Sequence, residues 1–543
     1  MANGIFNVPI PKNEPVYGYA PGSVEREKLK KTIADLRSQE IDIPLYIGNQ
    51  EVRTEKRVAI TPPHDHQYIL GYFYECEAQQ VTEAIQAALA ARSAWASMPW
   101  EHRLAIFLKA AELSATKYRY LLNAATMLGQ SKNAFQAEVD SACEWVDFLR
   151  FNVSFATEIY RNQPISPDAT IWNQVEYRPL EGFVYALTPF NFTAISGNLP
   201  TSAAMMGNVV IWKPAPAQMY SAYVLMQVLK EAGVPDGVIN LIQGDGPMIG
   251  EVVFSHPEFA GIHFTGSTAV FKSIWKTIAS NMDQYRYYPR IVGETGGKDF
   301  MLAHESADVK AYAANLLRAA FEFQGQKCSA ASRAYVPTTI WESVWKELKA
   351  MLETIKVGGT EDFSNFVNAV IDERAFQKIT GFINQAKENP ANTLLWGGTY
   401  DRSKGWFIDP TIFLTTDPHS ATMEQEIFGP VLTIYLYEPG QFEETLTLID
   451  RTSPYALTGA VFAQDRYAVE LASRMLVNSA GNFYINDKCT GAVVGQQPFG
   501  GARGSGTNDK AGSMQNLLRW VSTRTIKESF IPATDYRYPF LAE

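Results

Sequence analysis

The decapeptide Phe-Gln-Gly-Gln-Lys-Cys-Ser-Ala-Ala-Ser at 323–332 sets a thiol, Cys328, beside a lysine and among small residues that leave a substrate room to approach. The nucleophile in such chemistry is the thiolate, and a free cysteine with a pKa of about 8.5 is only a few per cent ionised at neutral pH. A nearby cation or an adjacent base would raise that fraction. Taken alone, Cys328 reads more readily as a small buried hydrophobe. Other segments supply what a thiolate attacking a carbonyl needs. Asn191, in Pro189-Phe190-Asn191-Phe192, could donate an amide hydrogen bond to an oxyanion, a contact worth roughly 10²–10³ in rate. Glu294, in Gly-Glu-Thr-Gly-Gly-Lys at 293–298, has the mobility that a glycine-rich stretch gives a general base. Lys213, in Trp212-Lys213-Pro214-Ala215, and the turn Phe264-Thr265-Gly266-Ser267 have the residue types that receive a nucleotide and its phosphates. Each has a plainer reading as well: an Asx-turn, a loop acid, a solvated surface lysine.

These residues gain weight from the elements around them. Short β-rich runs at 183–187, 209–212, 238–242 and 261–264 alternate with helical stretches such as 220–232. That alternation predicts an open, parallel α/β sheet of the dinucleotide-binding kind, with Asn191, Lys213 and Ser267 at strand exits. The texture resumes at 334–336, 431–436 and 459–462, predicting a second α/β domain. Residues 22–39 read as an amphipathic helix with Ser23 as N-cap, and 80–160 as helical. Residues 170–178 and 519–527 alternate like half-exposed strands, either protected edges or strands that pair with another subunit; the subunit reading is preferred. No GxGxxG fingerprint follows 264–267, and the look-alike Gly244-Asp-Gly-Pro-Met-Ile-Gly250 has one residue too many.

Composition removes several function classes. A length of 543 residues asks for two or three domains. A net charge of −10 argues against nucleic acid as a partner. No run of about 18 apolar residues occurs, so no membrane partner is expected. The four cysteines, Cys76, Cys143, Cys328 and Cys489, are too far apart for a disulfide framework or a zinc motif and suggest a reducing compartment. With neither an apolar leader core nor an arginine-rich stretch in residues 1–12, the cytoplasm is the expected location. His64 and His66, flanked by Pro63 and Asp65, read as loop residues, and no metal is expected.

Asn191, Lys213, the 264–267 turn, Glu294, Cys328 and Glu426-Ile-Phe-Gly-Pro-Val431 follow the order and approximate spacing of the aldehyde dehydrogenase superfamily, which the chain resembles over nearly its whole length. The segments 481–488, 493–501 and 505–510 resemble more narrowly the branch that oxidises glutamate γ-semialdehyde, formed from Δ1-pyrroline-5-carboxylate, to glutamate in proline breakdown. The length resembles that of the stand-alone enzyme, not its fusion with proline dehydrogenase. The resemblance implies an α/β aldehyde dehydrogenase-like fold. Residues 1–165 and 182–293 would form a Rossmann-type NAD-binding domain with an N-terminal helical extension, 294–513 a catalytic α/β domain, and 166–181 with 514–543 a small β oligomerisation flap.

By the same resemblance, Cys328 attacks the aldehyde, Asn191 and the Cys328 N–H hold the oxyanion, and Glu294 activates water against the thioester. For NAD it implies Lys213 at the adenosine ribose, Gly266 and Ser267 at the pyrophosphate, and Glu426 at the nicotinamide ribose, with Phe428 nearby. For the substrate it implies Ser329, Gly491 and Ala492 around the α-carboxylate, Phe192 and Phe499 about the aliphatic chain, and Glu144 toward the ammonium. It also implies a homodimer or higher homo-oligomer and a functional coupling to proline dehydrogenase. One departure stands out. Many family members carry an acid three residues after the lysine, which repels a 2′-phosphate; this chain has Pro216, so exclusion of NADP is not secured by charge. Alternatives remain open at this point. They are a different semialdehyde (succinate or aminoadipate semialdehyde), a cysteine hydrolase for which His263 is the nearest base, and a non-catalytic protein on this fold.

Overall fold

The computed structural model describes residues 4–541 and is built on two seven-stranded sheets. The first runs Arg290–Glu294, Phe259–Thr265, Phe183–Leu187, Val209–Lys213, Ile239–Leu241, Leu45–Ile47, Gln50–Val52. Its first five strands are parallel, and the last two are antiparallel additions at one edge. The parallel strands are apolar on both faces, as strands covered by helices on either side must be. Phe183, Tyr185, Val210, Trp212, Ile262 and Phe264 are all buried.

The second sheet runs Asn392–Trp396, Thr411–Thr415, Val431–Tyr437, Ala331–Pro337, Asp299–Ala303, Thr458–Phe462, Asn482–Ile485. Here the two-residue period of a strand sorts side chains between two helical layers. Met301 and Ala303 face the helices Val309–Phe321 and Thr338–Leu352. Phe300 and Leu302 face Phe442–Arg451 and Arg466–Met475. The expected α/β architecture with two parallel sheets is therefore present.

Several local expectations meet the structure closely. The first helix is Val24–Arg37, and the Ser23 hydroxyl accepts from the Arg26 N–H as an N-cap should. The N-terminal part is less uniformly helical than the sequence suggests. Short strands occupy 41–74; three form a small sheet, and two join the first large sheet. The helical region after residue 80 also contains a π-helical turn, Glu138–Cys143, whose acids face inward. Among the described residues no helix is long and apolar enough to cross a membrane.

The two peripheral strands need a correction. Ile171–Pro179 and Val521–Ser529 pair with each other, antiparallel, from Val521 opposite Pro179 to Ser529 opposite Ile171. The subunit pairing expected of them is thus met first within one chain. The partly exposed alternation comes from a two-stranded ribbon standing off the body, with Trp172 53% exposed.

Candidate active site

In a parallel sheet, the loops that leave the strand ends in one direction share one edge. Asn191, Lys213, Ser267 and Glu294 all lie at or just beyond the carboxyl ends of parallel strands of the first sheet. Cys328 and Glu426 precede the amino ends of two neighbouring parallel strands of the second sheet. Where the two edges meet there is a cavity of about 170 Å³. Its wall includes Cys328, Glu294, Ser329, Gly491, Ala492, Phe192, Phe499 and Glu144. Residues spread from 144 to 499 thus surround one volume.

Cys328 sits in the turn between the helix Val309–Phe321 and the strand Ala331–Pro337. Phe323, Gln324 and Gly325 are consecutive left-handed residues, at φ of 51°, 56° and 65°. A side chain on Gly325 would overlap the Gly429 carbonyl oxygen, so only glycine fits there. Such a run costs free energy and persists only when surrounding contacts fix it. The Gln324 amide donates to the Ser131 and Ala369 carbonyls, and the Gln326 side-chain oxygen accepts from the Ile371 N–H. Asn191, buried in the loop before the helix Thr193–Met205, donates its Nδ2 to the Gln326 carbonyl at 3.0 Å. The amide nitrogen carries two hydrogens, so one remains free to donate.

Burial pushes the Cys328 thiol well up, and Glu294, Asp299 and Glu426 add to the shift by their negative charge. The lysine beside it does not counter this. Lys327 turns into the protein, its Nζ 3.4 Å from Glu322 and 3.7 Å from Asp140. Burial likewise raises Glu294 to about 8, against a partial opposing pull from Lys510. A carboxyl that titrates near 8 suits a general base working close to neutral pH.

At the substrate end the cavity is lined by side chains that no motif announced. Asn13, Glu14 and Val16 come from an extended N-terminal strap laid across it. The strap is held by Asn13 Nδ2, which donates to Asp147 and to the Val494 carbonyl, both at 2.8 Å, and by the Glu14 N–H to Asp147 at 2.7 Å. The Lys132 ammonium pairs with Asp140 at 2.7 Å and stands 4.1 Å from the centre of the Phe192 ring. Burial and the Asp140 charge push the Glu144 carboxyl well above its ordinary range. The four-residue spacing of Asp140 and Glu144 on one helical face is a signal the sequence does contain. The strap carries none.

The residues expected at the cofactor lie along the same edges and outside this cavity. Lys213 is buried, and among the described residues its Nζ has no hydrogen-bond partner; burial lowers its pKa. Ser267 caps the helix Thr268–Ser280, its hydroxyl accepting from Val270 N, and Gly266 links that turn to the Glu294 carbonyl at 3.1 Å. Glu426 accepts from the Gly297 N–H at 3.0 Å, and a side chain at Gly296 would collide with its carboxylate. Phe428 meets Phe190 edge-on at 5.9 Å. A buried ammonium without a partner among the described residues, the helix N-terminus at Ser267 and a carboxylate fit the ribose hydroxyls and pyrophosphate of a dinucleotide. Pro216 is exposed and opens a short 3₁₀ turn.

His263 also reaches the cavity wall, but its Nδ1 lies against the Leu199 carbonyl at 3.0 Å, and burial lowers its pKa to about 4. Cys328 has no hydrogen bond to it, so the cysteine–histidine pair of a hydrolase is not formed.

A thiol, an amide donor and an elevated carboxyl lie beside an edge that fits a dinucleotide, an arrangement suited to an oxidoreductase. The aldehyde dehydrogenase family pattern matches residues 50–526, and the chain belongs to that family. It is 52% identical over 542 residues to a relative from Dictyostelium discoideum named delta-1-pyrroline-5-carboxylate dehydrogenase, mitochondrial, covering 99% of this chain and 97% of that one. It is also similar to the solved Delta-pyrroline-5-carboxylate dehydrogenase from Mycobacterium tuberculosis bound with NAD. There the TM-score is 0.97 at 50% identity, with 100% of both chains covered. Proline utilization A from Bdellovibrio bacteriovorus is similar at 30% identity and a TM-score of 0.91 over 96% of this chain and 54% of that one.

Proposed function

We propose that the protein oxidises L-glutamate γ-semialdehyde to L-glutamate with NAD, in the catabolism of proline. The observation that carries this reading is the convergence of Cys328, Glu294 and the Ser329, Gly491 and Ala492 wall on one small cavity, with Asn191 behind the nucleophile. The Cys328 thiolate adds to the aldehyde carbon, and the carbonyl electrons move to oxygen, giving a thiohemiacetal. Asn191 Nδ2 and the Cys328 N–H stabilise that oxyanion more than they stabilise the aldehyde, which is what accelerates the step. NAD, held by Lys213, Gly266, Ser267, Glu426 and Phe428, supplies the hydride acceptor that leaves a thioester on Cys328. Glu294 then takes a proton from water as its oxygen attacks the thioester, and glutamate leaves as Cys328 is restored.

The zwitterionic end of the substrate fits the opposite wall. Gly491 is left-handed, at φ of 86°, and such turns aim successive N–H groups at an anion. The Ser329 hydroxyl joins those N–H groups on the α-carboxylate, Glu144 faces the ammonium, and Phe192 and Phe499 enclose the methylenes.

In this reading, 1–165 and 182–293 hold the dinucleotide, 294–513 carry the chemistry, and 166–181 with 514–543 join subunits of a homodimer or larger homo-oligomer. The outer edge of Val521–Ser529, which no strand covers among the described residues, supports that last assignment. Coupling to proline dehydrogenase and a cytoplasmic location are part of the same proposal, although the Dictyostelium relative is named mitochondrial. Imaging of the full chain in cells separates the two compartments.

The test is a kinetic panel with NAD and NADP. Glutamate γ-semialdehyde should exceed succinate semialdehyde in kcat/KM by more than about tenfold, since a site built for the ammonium and carboxylate leaves buried polar groups unpaired without them. Cys328→Ala should abolish NADH formation. Equal rates for both semialdehydes, or an active Cys328→Ala, would overturn the reading.

A further inference from the structure

Glu322 lies six residues before the nucleophile, is 3% exposed, and touches neither substrate cavity nor cofactor edge. Burial alone would keep it neutral. Instead its pKa is lowered to about 2, held there by Lys327, Lys488 and Arg318. Arg318 Nε is 2.7 Å from one carboxylate oxygen, and Lys327 Nζ and Lys488 Nζ are 3.4 Å and 3.9 Å from the other. Two of these cations belong to different parts of the site. Lys327 directly precedes Cys328. Lys488 donates to the Thr490 carbonyl at 3.0 Å and its hydroxyl at 3.2 Å, and sits beneath Gly491, where a side chain would stand 2.6 Å from its Nζ.

We propose that Glu322 is a positioning residue that fixes the nucleophile turn and the carboxylate-anchor loop relative to each other, so that the distance from thiol to anchor matches the substrate. The proposal rests on the roles given above to Cys328 and to Gly491 and Ala492. Its physical basis is that one buried anion shared by two cations ties their backbones together; Lys327 has a second carboxylate, Asp140, at 3.7 Å, but among the described residues Lys488 has no second one within ion-pair distance. Asp140, the other acid near Lys327, is already paired at 2.7 Å with Lys132. The Cys489 thiol also reaches the Ser329 carbonyl, at 3.3 Å, as a second and weaker link between the same segments.

The test asks whether a change at the anchor is felt at the nucleophile. The rate of Cys328 alkylation by iodoacetamide, read by peptide mass on the full chain without substrate, reports the nucleophile turn. Lys488→Met should shift that rate by about threefold or more, and the shift should vanish in a Glu322→Gln background, as a double-mutant cycle requires of coupled residues. With glutamate γ-semialdehyde, Lys488→Met should raise KM by about tenfold with kcat changed less, whereas Glu322→Gln should change both. NAD affinity, measured by titration, checks that each variant is folded. If Glu322→Gln does not fold, Glu322→Asp, which keeps the charge but shortens its reach, takes its place in the cycle. An alkylation rate indifferent to Lys488→Met, or a shift that persists without the Glu322 carboxylate, overturns the proposal; the latter assigns the link to Cys489. A wild type that ignores the semialdehyde sinks the functional reading instead, and the alkylation cycle still decides this one.

Discussion

Replacing Glu294 by glutamine removes the proposed base while keeping its shape, and the structure fixes what should follow. With a pKa of about 8, roughly a tenth of Glu294 is ionised at pH 7 and nine-tenths at pH 9. If water attack on the thioester limits turnover, the wild-type steady rate should rise about tenfold between those values and level off above them. Glu294→Gln should lose that rise and turn over about 10²–10⁴-fold more slowly, the usual worth of a positioned base. The thiol still reacts, so stopped-flow mixing should show a burst of one NADH per Cys328 before the slow phase. The same substitution has a signed effect on stability. The folded pKa of about 8 exceeds the ordinary 4.5, so the folded state binds the proton more tightly, and stability falls as pH rises from about 4.5 to 8. The gap corresponds to on the order of 5 kcal/mol. Glu294→Gln should therefore raise Tm at pH 9 and leave it nearly unchanged at pH 4. A missing burst, or a steady rate in Glu294→Gln that still climbs through pH 8, would refute the assignment of Glu294 as the base.

Asn191→Ala should slow the burst itself by about 10²–10³ while leaving NAD affinity within a factor of two or so, because the amide faces the oxyanion and not the cofactor; an unchanged burst rate would remove Asn191 from the oxyanion site. Gly325→Ala forces a side chain into the Gly429 carbonyl at a left-handed position, so Cys328 alkylation should change and kcat/KM fall by more than about tenfold. Full activity there would mean the turn tolerates movement. Pro216→Glu should lower kcat/KM with NADP relative to NAD by roughly tenfold, by setting a carboxylate where a 2′-phosphate would lie. An unaltered ratio would show that the exposed turn at 216 does not meet the cofactor.

The central strands were readable because each carries its own pattern: 183–187 and 209–212 are apolar on both faces and lie within the observed Phe183–Leu187 and Val209–Lys213. The strands between 41 and 74 escaped because three- or four-residue pieces become strands only through distant partners, as when Tyr46 pairs with Leu241. Ribbon partners at 171–179 and 521–529 were visible as strands, but nothing local says that each completes the other. At the site, residue types and order marked Cys328, Asn191 and Glu294, since chemistry restricts which side chains serve. The left-handed conformations of Phe323 and Gln324 had no such mark. Nor did the turning away of Lys327, which depends on Glu322 and Asp140 being buried beside it.

The N-terminal strap gives the cavity a history as well as a wall. Asn13 has among its anchors the Val494 carbonyl, 481 positions later in the sequence. The strap is therefore among the last segments to find its place, since closing so long a loop waits on the structure between its ends. Until then the nucleophile turn and both sheets can be complete while the substrate chamber stands open on one side. A substitution that frees the strap, such as Asn13→Ala, acts on that final closure, and so on substrate affinity, without touching Cys328, Asn191 or Glu294.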